Sequence, residues 1–347
     1  MGKSISVIIP NYNGAATIGP CIEAALSSDY KNFEVIVVDD CSSDGSVEII
    51  EKYPCTLVRL GKHGGASRAR NAGALRGRGD ILFFTDSDCL LTREALSLAA
   101  EAIAGGGPRV IIGGTYTPLP YDTDFFSTFQ SVFIHYSETK KTGRPAGHAD
   151  KHPYDSPDYL ATHAMAMDAQ TFRDSGGFRE DFLPILEDVE FSHRAARSGC
   201  LLRMDPGILV RHIFNFTLRK SLHNAYKKTY YWILYSLENK DLLADSGTAS
   251  SELKLNGIFY LLTLLSLCLA LLAGDPRFLL SLPVYAGLTL FCSRNLLAAF
   301  HKAGGGRFAF LSALYYTLLY PAPVWAGTTA AVLSKILNRQ HRTPRKS

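Results

Sequence analysis

The sequence predicts an α/β domain built on a mostly parallel β-sheet, followed by a C-terminal helical region suited to a membrane. Two apolar runs, 34–40 and 81–88, each end in paired acidic residues. Short apolar runs bounded by turn residues are typical of buried parallel strands. Strand and helix patterns alternate to about residue 202, and beyond residue 245 three apolar stretches carry no charged residue. This order predicts a sheet covered by helices on both faces, and then a separate helical region.

Each element of the predicted sheet follows from a local pattern. Strands are predicted where short apolar runs occur, and helices where apolar residues recur every three or four positions. The predicted strands are 6–9, 34–39, 56–60, 81–85, 109–113 and 161–167, with a further strand-like run at 208–210. The predicted helices are 15–26, 46–52, 67–75, 92–104 and 189–198. We expect Thr92 to be the N-cap of its helix, because a threonine hydroxyl can accept a backbone N–H.

Composition narrows the class of protein. The chain has 347 residues, of which 36 are basic and 32 acidic, and its net charge of +4 is too small to indicate nucleic-acid binding. The seven cysteines include no C-x-x-C pair, so we expect reduced thiols of a cytosolic domain rather than a zinc site or a disulfide framework. The N-terminus lacks the features of a secretory signal and is expected to begin with the first strand.

Residues 115–159 interrupt the alternation of strands and helices. The segment is rich in Pro, Asp, Tyr and His, and it contains a patch of aromatic residues. The patch consists of Phe125, Phe126, Phe129, Phe133 and Tyr136. A long irregular insertion in a compact domain is usually functional or mobile, and we expect this one to be so.

The C-terminal region contains three uncharged stretches. Residues 257–273 reach the lower length limit for a membrane helix, 278–291 are shorter, and 308–333 are interrupted by two prolines. Either these stretches span a membrane or they form a buried helical core. Three of them close together, ending in a basic tail, favour the membrane.

The charges between these stretches predict an orientation. The loop that follows the second stretch holds Arg294, His301, Lys302 and Arg307. The positive-inside rule places this loop in the cytoplasm, and with it the preceding sheet domain of a multi-pass protein. The third stretch is either a single span, which leaves the basic tail outside, or a re-entrant hairpin bent at its prolines, which keeps the tail inside.

Residues 215–235 combine basic and aromatic side chains between the two regions. A basic, aromatic, amphipathic helix is typical of a membrane interface. The alternative is a surface helix that packs its aromatic side chains on the core, and the sequence does not decide between the two.

The acidic residues at the ends of the predicted strands form the candidate site. Carboxylates just past parallel strands lie at the carboxyl edge of the sheet, where open α/β sheets bind ligands. Asp86 and Asp88 are alternate residues of an extended segment, so both can face one ligand. Such a pair can bind Mg²⁺ or Mn²⁺, and a divalent cation suits a nucleotide diphosphate. The alternative is a solvated turn before the helix at 92–104.

Taken in order, these motifs resemble those of the family-2 glycosyltransferases, inverting enzymes with the GT-A fold. The resemblance covers about residues 4–212. It rests on the segments 7–13, 34–46, 69–73, 79–88, 176–178 and 186–191. A D-x-D pair alone is weak evidence, but the whole set in the expected order is specific.

The resemblance implies a binding site for a nucleotide sugar, with a UDP-sugar as the default donor. Its nucleotide loop would be Pro10, Asn11, Tyr12 and Asn13, and Asp39 would accept a hydrogen bond from a uracil-type N–H. Further contacts to the nucleotide sugar are implied for Asn71, Asp86, Ser87 and Gly177. The alternative for Asp39 and Asp40 is turn and cap chemistry, which is the role we assign to Asp44.

Glu187 and Asp188 open a predicted helix, whose dipole stabilises carboxylates at its N-terminus. An inverting enzyme needs a base to take the proton of the acceptor hydroxyl. The resemblance implies that Asp188 is this base, with Glu187 as its neighbour or substitute; the alternative is simple N-capping. Asp86 and Asp88 would hold the metal, and His212 is either a third ligand or structural.

The predicted function is therefore a membrane-associated glycosyltransferase with its catalytic domain in the cytoplasm. The Q-x-x-R-W motif of processive members is absent after Glu187, so we expect transfer of a single sugar to a lipid-linked or membrane-proximal acceptor. We expect a catalytic domain at 1–214, an amphipathic helix or linker at 215–245, and membrane-associated helices at 246–347. The alternatives are a nucleotidyltransferase on a similar sheet and a non-catalytic sugar-nucleotide-binding or scaffold protein.

Overall fold

The computed structural model describes residues 2–140, 154–155, 157–242 and 244–340. The chain divides into two compact units. The first, called the sheet unit, comprises Met1–Thr123 and Glu138–Asn215. The second, called the helical unit, comprises Asp124–Ser137 and Phe216–Ser347.

The sheet unit is built on one mixed β-sheet. Its strands are β1 (Ile5–Asn11), β2 (Phe33–Asp39), β3 (Thr56–Arg59), β4 (Ile81–Phe84), β5 (Cys89–Leu91), β6 (Val110–Tyr116), β7 (Tyr154–Asp155), β8 (Met165–Asp168) and β9 (Leu201–His212). Their order is β3-β2-β1-β4-β8-β6-β9-β5, and β7 also pairs with β9.

Strand directions divide this sheet into two parts. The strands from β3 to β4 are parallel, whereas β8 is antiparallel to both of its neighbours. β9 is parallel to β6 but antiparallel to β5 and β7. The predicted α/β fold, a sheet flanked by helices, is confirmed, and antiparallel strands join its parallel strands in one mixed sheet. An apolar run indicates a buried strand without its direction, so the sequence does not distinguish the antiparallel strands.

Among the described residues, seven α-helices belong wholly or partly to the sheet unit. They are α1 (Ile18–Leu26), α2 (Ser46–Ile50), α3 (Gly65–Arg76), α4 (Ala95–Gly105), α5 (Phe125–Thr139, which ends in this unit), α6 (Ala169–Asp174) and α7 (Glu187–Arg197). The packing of α3 on the sheet depends on Gly73, since a Cβ there would lie 2.5 Å from Ile8 Cγ2 and 3.0 Å from Val38 Cγ2. The glycine therefore lets α3 approach β1 and β2 closely, with Arg70 buried on the same helix.

Two local predictions about the sheet are corrected. Thr92 does not cap a helix: its N–H bonds to Leu209 O at 3.1 Å, which continues the pairing of β5 with β9, and α4 begins only at Ala95. β1 runs past its predicted end at residue 9, and it pairs with β2 through Pro10 as far as Asn11. Because β4 pairs with β1 only as far as Ile8, the missing N–H of Pro10 interrupts no bond to β4.

The aromatic patch of the interrupting segment is helical rather than irregular. Phe125–Thr139 forms α5, and within the helical unit its Phe129 and Phe133 are almost fully buried. The ring of Phe129 lies 5.0 Å from that of Phe300 and 4.8 Å from that of Tyr315. The spacing of the aromatic residues at intervals of three and four was the helical signal that the segment's composition concealed.

The helical unit contains five further α-helices among its described residues. They are α8 (Leu218–Asn239), α9 (Ser251–Ala273), α10 (Leu282–Cys292), α11 (Arg294–Leu314) and α12 (Pro321–Gln340). α8 packs closely on α12, since a Cβ at Gly327 would lie 2.6 Å from Tyr226 O. Pro321 is the first residue of α12, a position where its missing N–H needs no partner.

One described helix, α9, is long and apolar enough to cross a membrane, with a mean hydropathy of 2.2. Only 17% of that apolar window is buried inside the protein. The second predicted stretch corresponds to a shorter apolar helix, and the third does not reach the same length and hydropathy. A single such helix is weak evidence for a membrane span, so the structure does not support the predicted multi-pass topology.

Candidate active site

The residues predicted to bind the nucleotide lie where β1 and β2 end. Asn11 and Asp39 are register partners on these parallel strands, and Asn11 Nδ2 donates to Asp39 Oδ1 at 3.0 Å. Asp39 is buried, and its Oδ2 accepts the backbone N–H of Ser42 at 3.0 Å. Asn11 Oδ1 is buried and has no hydrogen-bond partner. A buried acceptor without a partner is unfavourable in the free protein, which suits a position that a ligand completes.

The loop after β1 is tied to the turn after β2. Asn13 has a left-handed φ of 51°, donates its N–H to Ser42 Oγ and accepts the N–H of Ser43. Asp44 accepts the backbone N–H groups of Ala15 and Ser46, which is the structural role predicted for it. These bonds give the short loop from Pro10 onward a defined conformation.

Gly14 and Ser87 close the floor of this loop. A Cβ at Gly14 would lie 2.4 Å from Asn11 Oδ1 and 3.4 Å from Ser87 Oγ. The structure thus brings Ser87, predicted from a distant segment, beside the nucleotide loop.

Tyr12 stands at the outer edge of the loop with about half of its surface exposed, 52%. Its ring lies 4.2 Å from that of His63, and His63 Nδ1 lies 2.9 Å from Asp40 Oδ2. Asp40 also accepts the N–H groups of Gly64 and Gly65 at the start of α3. Asp40 therefore caps the start of α3, which is the cap role given above as the alternative to ligand binding. Asp39 instead faces the loop that follows β1.

Arg70 joins the two acidic motifs of the site. Its guanidinium donates from Nη2 to Asp86 Oδ1 and from Nη1 to Glu187 Oε1, both at 2.6 Å. The side chain of Arg70 is only 4% exposed. Loss of water alone would raise the pKa of Asp86, but the ion pair and hydrogen bond with Arg70 outweigh this and hold it below its usual value.

Asp88 faces a different set of groups. Its Oδ1 lies 3.5 Å from His212 Nε2, and Cys89 Sγ lies 3.7 Å from the same oxygen. Asp88, Cys89 and His212 offer ligand atoms within 4.8 Å of one another. Partial loss of water, together with repulsion by Asp86, raises the pKa of Asp88 although His212 opposes this. β5 creates this arrangement, because its pairing with β9 sets Cys89 opposite His212.

These groups fit a divalent cation. Asp88 supplies a carboxylate that no arginine contacts among the described residues, and His212 supplies an imidazole whose buried Nδ1 has no hydrogen-bond partner. Carboxylate and imidazole are common ligands of divalent metals. Asp86 contributes its charge nearby, although Arg70 engages its Oδ1. Burial raises the pKa of the Cys89 thiol well above its usual value, which disfavours Cys89 as the ligand of a hard cation.

The two carboxylates predicted to serve the acceptor lie at the N-terminus of α7. Leu186 precedes the helix with a left-handed φ of 74°, which non-glycine residues rarely adopt. This turn directs Glu187 to Arg70 and leaves Asp188 bonded to the backbone N–H of Val189 at 2.8 Å. Burial, and then repulsion by Glu187, raise the pKa of Asp188 to about 7. A carboxylate with such a pKa is suited to accept a proton near neutral pH.

Asn71 and Gly177 meet on the same side of the site. Asn71 donates from Nδ2 to Phe178 O at 2.8 Å and accepts Phe178 N–H at 2.9 Å. Gly177 has a left-handed φ of 66°, and a Cβ there would lie 2.9 Å from Asn71 Oδ1. Both polar groups of Asn71 thus hold the glycine turn, and its predicted contact with the nucleotide sugar stays a prediction.

The structure therefore gathers the predicted residues at one edge of the sheet, on elements far apart in sequence. Four residues with defined contacts were not among the predicted site residues: Asp40, His63, Arg70 and Cys89. Arg70 lies in the segment 69–73, which carries the family resemblance without a role for this residue. The sequence signal for a buried Arg70 was Gly73, one turn further along α3. A glycine that permits close packing of the helix also brings the preceding turn to the edge of the sheet.

Comparison with known proteins assigns this domain. Residues 6–164 match the profile of glycosyl transferase family 2. The chain is 39% identical over 92 residues to an uncharacterised glycosyltransferase of Haemophilus influenzae, which covers 26% of this chain and 31% of that protein. It is 35% identical over 105 residues to the poly(ribitol-phosphate) beta-N-acetylglucosaminyltransferase TarS of Staphylococcus aureus, which covers 28% of this chain and 18% of TarS. The chain thus spans less than half the length of these relatives.

A solved structure extends the likeness to the fold. The mannosyltransferase PcManGT from Pyrobaculum calidifontis, in complex with GDP-Man and Mn²⁺, matches with a TM-score of 0.57 and 17% identity. The match covers 96% of this chain and 88% of that one. Residues 6–164 thus match glycosyl transferase family 2, and the N-terminal domain that contains them has the GT-A fold.

Proposed function

We propose that this protein is an inverting glycosyltransferase that moves one sugar from a nucleotide diphosphate sugar to a lipid-linked or membrane-proximal acceptor. The observation that carries the proposal is the meeting of a nucleotide loop, a metal-type carboxylate and a carboxylate of raised pKa at one sheet edge. Asp39, Asp88 and Asp188 represent these three parts. A scaffold protein has no need for a base beside a cation site.

The donor would bind across the ends of β1, β2 and β4. Asp39 would accept the N–H of the base, Asn11 Oδ1 would accept a ligand hydroxyl or N–H, and Tyr12 would pack on the base. Asp88 and His212, with Asp86 nearby, would hold Mg²⁺ or Mn²⁺, and this ion supplies positive charge to the leaving diphosphate. That PcManGT was solved with Mn²⁺ supports a divalent metal without choosing between the two.

The acceptor hydroxyl would approach from the side of α7. Asp188 would take the proton of this hydroxyl as the oxygen attacks the anomeric carbon, and attack opposite the leaving diphosphate inverts the anomeric configuration. Glu187 is already engaged by Arg70 at 2.6 Å. Asp188 is therefore the base in this proposal, and Glu187 a neighbour that raises its proton affinity.

Membrane association is proposed from the helical unit alone. α9 carries a row of exposed leucines, including Leu264, Leu265, Leu271 and Leu272, on an uncharged stretch. Exposed apolar surface of this extent is costly in water and favourable in a bilayer. An enzyme held at a membrane in this way would meet acceptors that reside in or on that membrane.

The nucleotidyltransferase alternative is less well supported. A phosphate-binding loop of that class would be rich in glycine and carry a basic residue after β1. The loop here reads Pro10-Asn11-Tyr12-Asn13-Gly14.

A donor panel tests the proposal. Protein purified from membranes would be incubated with UDP-, GDP- and dTDP-sugars, Mn²⁺ or Mg²⁺ and a lipid extract, and nucleotide release recorded. We expect metal-dependent release from one donor, lost in Asp88→Ala and Asp188→Asn. The exposed Asp29, whose partner is Arg93, provides the matched control Asp29→Asn, which should retain full activity. Release that survives both site substitutions, or no release from any donor, would contradict the proposal.

A further inference from the structure

We propose that Arg70 is a positioning residue, whose guanidinium holds Asp86 on the metal side and Glu187 on the acceptor side. Because Glu187 is held in this way, Asp188 is the carboxylate of α7 that accepts the proton. This inference rests on the proposed function. It adds a residue and a division of roles that the sequence motifs do not provide.

The guanidinium of Arg70 bonds to both carboxylates at once. Arg70 uses two different nitrogens for the two carboxylates, with both contacts at 2.6 Å. A planar guanidinium fixes the angle between its two partners, which a lysine ammonium does not. The separation between the D-x-D turn and the start of α7 is thereby set by one rigid group.

Arg70 and its two carboxylate partners are largely shielded from water. Its side chain is 4% exposed, and those of Asp86 and Glu187 are 30% and 13% exposed. Screening by water is weak at such a site, so removal of the Arg70 guanidinium leaves the carboxylates of Asp86 and Glu187 to repel each other. Arg70 Nε is also buried without a partner, a cost that a purely structural arginine would avoid.

The helix that bears Arg70 is itself packed firmly on the sheet. α3 lies tightly on β1 and β2 through Gly73, so Arg70 projects from an element that cannot shift easily. On the same helix Asn71 holds the backbone of Phe178 by two hydrogen bonds. Adjacent residues of α3 thus have related roles. Arg70 holds Asp86 and Glu187, and Asn71 holds the glycine turn that precedes Phe178.

Substitution of Arg70 separates positioning from folding. Arg70→Gln should lower kcat about 100-fold, the loss typical of a misplaced catalytic group, while the KM for acceptor changes less than about threefold. Arg70→Lys should recover about tenfold of that loss, because one ammonium can pair with only one of the two carboxylates at a time. Arg76 is exposed in the last turn of the same helix, and Arg76→Gln is the matched control with unchanged kcat.

A double variant provides a readout that a merely structural role would not move. If the loss in Arg70→Gln comes from repulsion between the two carboxylates, Arg70→Gln/Glu187→Gln should be at least as active as Arg70→Gln alone. If the two side chains act independently, their losses should multiply in the double variant. If Arg70 only supports the fold, kcat per folded molecule in Arg70→Gln should match the wild type.

The outcomes also separate this inference from the proposed function. Turnover by the wild type with unchanged kcat in Arg70→Gln, or with multiplying losses in the double variant, would overturn the positioning role and leave the transferase activity standing. No turnover by the wild type with any donor would overturn the proposed function, and this inference with it. Folding of each variant would be checked by circular dichroism and thermal unfolding.

Discussion

The D-x-D turn after β4 and the turn that opens α7 each present two carboxylates, and in each turn the two carboxylates have different partners. Asp86 and Glu187 are both held by Arg70 at 2.6 Å. Asp88 and Asp188 have no such bond to Arg70 among the described contacts, and the pKa of each is raised. The comparison teaches that environment, rather than residue type, assigns the roles of neighbouring acids.

The largest expected effect distinguishes the two acids of α7. Asp188→Asn removes the proposed base and should lower kcat about 10³–10⁴-fold. Glu187→Gln removes only a partner of Arg70 and should cost about 10–100-fold. Initial rates at saturating donor and acceptor would measure both. Equal losses, or a larger loss in Glu187→Gln, would reverse the assignment of roles.

The second prediction distinguishes the two acids after β4. Asp88→Asn should weaken Mn²⁺ binding about 10–100-fold, because Asp88 is the carboxylate beside His212. Asp86→Asn should weaken it less, since one oxygen of Asp86 is already bonded to Arg70. Titration of Mn²⁺ followed by electron paramagnetic resonance would measure both affinities. Stronger loss in Asp86→Asn would show that the ion lies on the other carboxylate.

The pH dependence of turnover sharpens the comparison further. A base must be deprotonated to act, and the pKa of Asp188 is raised to about 7. Activity should therefore fall as pH decreases below about 7. Glu187→Gln removes the repulsion that raises this pKa, so the fall should move to lower pH. Profiles of kcat/KM for the two proteins would test this, and a shift to higher pH would contradict it.

The smallest expected effect concerns stability. An acid whose pKa is higher in the folded than in the unfolded protein stabilises the fold while protonated, and this contribution is lost as pH rises from about 4 toward about 7. Asp188→Asn has no such loss, so it should raise the Tm at pH 8 by about 2–4 °C. At pH 4 the gain should vanish. Thermal unfolding at both pH values is the test, and a lower Tm at pH 8 would count against a raised pKa.

Much of the site was predictable because strand ends have a simple rule. Apolar runs that end in Asp39 or Asp86 place those residues at the carboxyl edge of the sheet whatever the rest of the chain does. The left-handed turn at Gly177 follows in the same way from the glycine pair. The α/β class and the family came from these local signals in their order.

The rest depends on contacts between distant segments. Arg70 meets Glu187 only after α7 has packed beside α3, and no local pattern encodes that distance. β8 was predicted as a strand at 161–167, but its antiparallel direction was not, because an apolar run does not encode direction. The short β5 escaped prediction because three residues give no period. His212 gained its place beside Asp88 through β5, so its position followed from the missed strand.

Crystals of the protein grown with UDP and Mn²⁺ provide the most direct test of the central claim. An anomalous difference map locates the ion without reference to activity. The account predicts a peak within about 2.2 Å of a carboxylate oxygen of Asp88 and near His212, with Arg70 still bonded to Asp86 and Glu187. A peak bound by Glu187 or Asp188, or an Arg70 that has left both carboxylates, would contradict it.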